Sequence, residues 1–130
     1  MNQATVLVYN LSGERAEQVA KLAESLNITP YMVNKLEYSQ TLGALCGISP
    51  RSDIIYGGDG FADELLLLAF IPKSSLNRFL DGFREKGIQS VALKAMLTET
   101  NRTWDSIALH GELMQEFEAF RCMQTRQGGK

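Results

Sequence analysis

Two stretches of this chain lie over each other in a single register, without a gap: VLVYNLSGERAEQVAKLAESLNITPYMV at 6–33 and LLLAFIPKSSLNRFLDGFREKGIQSVAL at 66–93. Leu7 falls on Leu67, Val8 on Leu68, Leu11 on Ile71, Val19 on Phe79, Ile28 on Ile88 and Val33 on Leu93. Each stretch reads as strand, helix, strand. This correspondence limits the fold more than any other feature, because two like units must then share one core.

The local chemistry of the first unit agrees with that reading. Thr5 to Tyr9 is a short β-branched and aromatic run, which suits a strand. Ser12 can cap a helix, and Glu14 suits its first turn. Ala16, Val19, Ala20, Ala23 and Leu26 form an apolar stripe at helical spacing, and Asn27 followed by Ile28 reads as a helix end. In the second unit Ser74 is the expected cap and Leu76, Phe79, Leu80 and Phe83 are the stripe. Gly87 then closes the helix, with Ile88 placed to touch Phe83. A strand is expected over Val91 to Leu97.

Two β-α-β units in tandem suggest an α+β fold, the ferredoxin-like βαββαβ sandwich, with an added C-terminal helix. The most apolar strands, TVLVY and LLLLAF, belong at the centre of the sheet. Pro30 and Lys94 mark the outer strands as edges. The expected division is a single domain over 1–130, with repeat one at 5–36, a connection at 37–63, repeat two at 64–97 and a helix at 103–123. Both faces of the central strands are apolar, yet two helices cover only one. The third helix, with Leu109, Leu113, Phe117 and Phe120 in a stripe, is expected to cover the other face or to join a homodimer across it. The connection is long for a loop, so a short helix is expected near Leu42 to Cys46.

Composition narrows the function classes. A hydrophobic fraction of 45% and a charged fraction of 22% are those of an ordinary globular domain. A net charge of −2 with no basic stripe argues against nucleic acid, and LLLLAF carries none of the aromatic stacking pattern of an RNA-binding sheet. No apolar run is long enough to span a bilayer and the start does not read as a signal peptide, so no membrane role and a cytoplasmic location are expected. Cys46 and Cys122 read as reduced thiols. They are too few and too scattered for a zinc or iron–sulfur site. No metal, no cofactor and no catalytic residue is therefore assigned. Cys46 with His110 could be a nucleophile and base, but nothing in the sequence brings the two together. YGGDGF at 56–61 lacks the spacing of a phosphate loop and reads as a flexible turn. Asp53, Asp59, Asp63 and Glu64 read as a solvated loop.

LKAMLTETNRTW, residues 93–104, is the segment that raises a ligand question. Asn101 or Thr103 can cap the third helix, while Arg102 and Lys94 could hold a carboxylate or phosphate beside that helix start. Trp104 could wall such a pocket or fix the helix in the core. The candidate ligand-binding residues are thus Lys94, Asn101, Arg102 and Trp104.

At these residues the chain resembles the bacterial domain-of-unknown-function family 3783, whose pattern reads approximately VPLKAVLTPTNRNW. Leu93, Lys94, Ala95, Leu97, Thr98, Thr100, Asn101, Arg102 and Trp104 fall on that motif. Glu99 stands where the family has Pro, and Thr103 where it has a second Asn. QTLGALCGI at 40–48 also resembles the family's inter-repeat segment, so the likeness is expected to run over most of the chain. It implies no activity. At the level of fold, the expected plait is also similar to PII-type signalling proteins and ACT-like domains. The expected function is a small non-catalytic binding or regulatory domain. It self-associates, as a dimer by preference, and takes a small anionic ligand or a partner protein. The alternative is an enzyme or enzyme subunit of amino-acid or small-metabolite metabolism, with its site near Lys94, Asn101 and Arg102.

Overall fold

The computed structural model describes the backbone of residues 2–128 and the side chains of residues 2–119. Strand β1 (Thr5–Tyr9) leads to α1 (Gly13–Ser25) and β2 (Thr29–Met32). The connection holds a 3-10 turn (Lys35–Glu37) and the short α2 (Leu42–Leu45). Then come β3 (Leu65–Ala69), α3 (Lys73–Glu85), β4 (Leu93–Met96), a second 3-10 turn (Asn101–Thr103) and α4 (Ser106–Gly128). Among the described residues, no helix is long and apolar enough to cross a membrane.

The four strands form one sheet in the order β2-β1-β3-β4. β1 pairs with β2 in parallel, β3 with β4 in parallel, and the two central strands run antiparallel. This corrects the ferredoxin-like expectation. In that plait the β-α-β units are split, so that a strand of one unit sits between the two strands of the other. Here each unit is intact. The physical reason lies in the connections. The helix crossover returns each chain beside its own first strand, and the long 37–63 connection lets β3 start next to β1 rather than turning back along β2. The analogy with PII-type proteins rests on the plait order and draws no support from this sheet.

The central strands are buried along their whole length, which explains their unbroken apolar sequence. Val6, Val8, Leu66 and Leu68 face α1 and α3, where Val19, Leu22, Phe79 and Phe83 meet them. Leu7, Tyr9, Leu65, Leu67 and Ala69 face the other way, onto Tyr38, Leu42, Leu45 and Leu109. The second face is therefore covered jointly by the connection and by the N-terminal part of α4, from Ile107 to Met114. Phe120 and Cys122, read into the third helix, lie outside the described side chains.

Equivalent residues meet at the centre of the molecule. Leu7 pairs with Leu67 in the sheet. Above them, a Cβ placed on Gly82 would lie 2.7 Å from Leu22 Cδ1, so Gly82 is what lets α1 and α3 approach. The helices end alike too. Asn27 and Gly87 both adopt positive φ, and Ile28 and Ile88 donate back to Ala23 and Phe83.

The correspondence then slips. Thr5 pairs with Thr29. Its counterpart Leu65 pairs with Leu93, and not with Gln89, the residue that the repeat sets against Thr29. The second unit thus carries four extra residues, Gln89 to Ala92, before its outer strand. Val33 therefore corresponds to Leu97 and not to Leu93. Val33 donates to Val8 O and Leu97 to Leu68 O. The expected strand from Val91 begins at Leu93. Two caps also differ from expectation: α3 starts at Lys73 after Pro72, one residue ahead of Ser74, and Ser12 stands at the cap of α1 with no side-chain bond.

Candidate functional site

The segment after β4 is built around Asn101. Its Oδ1 accepts from Thr98 N at 2.8 Å, its own N–H donates to Thr98 Oγ1 at 3.0 Å, and its Nδ2 donates to Met96 O at 2.9 Å. One buried amide thus closes the turn between the last strand and the last helix. Trp104 follows, half-buried in the second-face cluster, and its carbonyl accepts from Leu42 N at 2.8 Å. Ser106 N donates to Tyr38 O, and Thr41 forms a bridge with Asp105. TNRTW is a strap that ties β4, α2 and α4 together. Neither Asn101 nor Thr103 caps α4. Asp105 does, through Oδ1 to Ala108 N at 2.9 Å.

Lys94, Asn101, Arg102 and Trp104 are not brought to one point. Lys94 pairs in register with Leu66, on the side of α1 and α3, whereas Trp104 packs on the opposite face of the sheet. Lys94 Nζ donates to Val91 O at 2.6 Å and lines a cavity there. Arg102 is well exposed, with Glu99 at 3.7 Å, a surface pair of little energetic weight.

A different group of side chains converges on the second face, and sequence reasoning does not reveal it. Tyr38 stacks on Phe61 at 4.8 Å, and Phe61 stacks on His110 at 4.0 Å with the rings 2° from parallel. Tyr9 and Tyr56 flank the column. His110 Nε2 lies 2.8 Å from Asp63 Oδ2. Asn10, at positive φ, donates to both Phe61 O and Asp63 O. Gly60 also has positive φ, and a Cβ there would come within 2.9 Å of the Tyr38 ring. YGGDGF is thus a fitted cover rather than a free turn. The one legible signal is the trio of aromatics in the connection, Tyr38, Tyr56 and Phe61, where solvated loops carry few.

The chemistry of this face is that of a sealed core. Tyr9 Oη and Ser106 Oγ share a 2.7 Å hydrogen bond. Burial holds the Tyr9 phenol far above its ordinary range and lifts the Cys46 thiol to about 11. Cys46 is therefore a thiol and a weak nucleophile at neutral pH. Both groups release their protons more readily when unfolded, so their contribution is complete below pH 9 and is lost as pH rises. The urea midpoint, followed by Trp104 fluorescence, is expected to hold up to about pH 9 and to fall as the pH rises towards about 11. Tyr9→Phe with Cys46→Ala should flatten that fall. An unchanged midpoint over this window counts against the burial argument.

A second polar group lies at the edge of the connection. Glu37 accepts from Tyr31 Oη, from Arg51 and from Asn34 N, while Asn34 Oδ1 accepts from Leu36 N. Burial alone would raise the Glu37 carboxyl, but these donors outweigh it and hold the group below its ordinary value.

Comparison with known families now becomes informative. Residues 64–120 match the family profile described as a domain of unknown function. These residues belong to DUF3783. No curated protein and no solved structure matches the chain. The DUF3783 match is narrower than the motif likeness implied, and QTLGALCGI lies outside it. The DUF3783 segment comprises β3, α3, β4, the Asn101 strap and most of the described part of α4. Tyr9, Tyr38 and Phe61, which complete the second face, all lie before that segment, so the matched residues alone do not close this core.

Proposed function

We propose that this chain is a small, cytoplasmic, non-catalytic binding domain that self-associates and takes a small anionic ligand. The observation behind self-association is an exposed apolar group on an ordered loop. Ile54 and Ile55 are 66% and 70% exposed, and Leu36 beside them is 57% exposed. The loop is tied on both sides. Gln40 bonds Ser52 N and O at 2.8 Å each, Tyr56 N donates to Leu36 O, and Arg51 pairs with Glu37. Aliphatic side chains held in place lose little freedom when a partner covers them. A two-fold interface must be complementary to itself. An apolar centre with one cation and one anion at its margin meets that condition, because Arg51 of one copy can face Glu37 of the other.

The test is oligomeric state by sedimentation over a wide concentration range. The natural chain is expected to dimerise, and Ile54→Asp with Ile55→Asp to be monomeric with an unchanged circular dichroism spectrum. A natural chain that stays monomeric at every concentration, or a double variant that still dimerises, overturns the reading.

A further inference from the structure

The four residues that break the correspondence between the units also build a cavity. Gln89 to Ala92 push β4 four positions along relative to β2. Ser90 and Val91, from this insertion, form one wall of a cavity of about 160 Å³. Leu80 and Phe83 of α3 form another, Leu66 is its floor, and Lys94 lies at its rim. The insertion is held from outside. Arg15 of α1 pairs with Glu64 and donates through Nε and its second amino group to Gln89 O and Ser90 O at 3.0–3.2 Å. A residue of the first unit thus fixes the wall of a cavity in the second.

Size and chemistry define what fits. An apolar cavity of roughly 150 Å³ holds a molecule the size of benzene. The lining offers Leu66, Leu80, Phe83 and Val91 for an alkyl group. The Lys94 ammonium gives one N–H to Val91 O and has two further donors. A hydrocarbon alone would leave that cation without a role, and a bare inorganic anion would leave the apolar walls wet. The geometry points to a short aliphatic monocarboxylate, linear or branched, of about four to six carbons, with its chain between α3 and β4 and its carboxylate on Lys94. This names the ligand class within the anionic-ligand reading above and is independent of self-association.

The experiment is a chemical-shift titration of the full chain with 4-methylpentanoate, with 4-methylpentanol, acetate and inorganic phosphate as controls. With 4-methylpentanoate, amide shifts are expected at Leu66, Leu80, Phe83, Ser90, Val91 and Lys94, with much weaker responses to acetate and phosphate. Lys94→Met keeps the side-chain stem and should weaken the acid by at least about tenfold while leaving the alcohol unchanged. Leu80→Ser should weaken acid and alcohol alike. Shifts absent from these residues overturn the site, and equal affinity of Lys94→Met for the acid overturns the role of the ammonium. Phosphate binding as tightly as the acid overturns the ligand class while leaving the broader anionic-ligand reading in place.

Discussion

A Tyr38→Ala chain is expected to lose about 3–5 kcal/mol of unfolding free energy, the usual cost of truncating a buried aromatic residue. Tyr38 belongs to no helix or strand, so a reading by secondary structure would place it in a tolerant loop. Its side chain is nonetheless 1% exposed and touches the rings of Tyr9, Tyr56 and Phe61. Removing it leaves a void that Gly60 cannot refill, because the backbone there already sits against the lost ring. Tyr38→Phe removes a single 3.5 Å bond to Asn10 and should cost under about 1 kcal/mol. Urea unfolding followed by Trp104 fluorescence reads both. If the alanine variant loses less than about 1 kcal/mol, the connection is not part of the core.

Asn101→Ala is expected to cost about 2–4 kcal/mol, since Thr98 N and Met96 O are left without partners in a partly buried turn. Asn101→Asp keeps the acceptor and loses the donor, so it should recover part of that loss. Arg102→Ala, one residue on, should change stability by less than about 0.5 kcal/mol. The contrast separates a strap from a ligand site. A strap makes Asn101 a stability residue. Equal and small effects at both positions would count against it.

Much of the secondary structure is legible because it depends on local signals. The helix ends at Asn27 and Gly87, the strand Thr5 to Tyr9 and the short helix near Leu42 follow from residue type and spacing. The central place of TVLVY and LLLLAF follows from their unbroken apolar character. What depends on pairing between distant segments is not legible. Strand order is decided by which edge each crossover returns to, and both orders use the same hydrophobic pattern. The four-residue slip before β4 is invisible in an ungapped match, because Leu93 and Leu97 both fit the apolar position of Val33. Asp105 is hard to pick out as the cap because Asn101 and Thr103 carry the same chemistry nearby. The aromatic column escapes notice because its members, Tyr38, Phe61 and His110, are far apart along the chain. Residue type alone singles out Lys94, but its separation from Trp104 by the thickness of the sheet needs the strand register.

The Leu22–Gly82 contact has a consequence for chain exchange between molecules. Leu22 occupies the room that the missing side chain at 82 provides. If the first unit of one molecule took the place of the second unit in another, Leu22 would meet Leu22. Two isobutyl groups would then compete for a gap sized for one, and overfilled cores of this kind cost about 1–3 kcal/mol. The contact therefore works as a lock and key between the halves of one polypeptide. It selects the intended intramolecular partner over a near-copy of it, and it disfavours the swapped pairing to which chains of two similar units are prone.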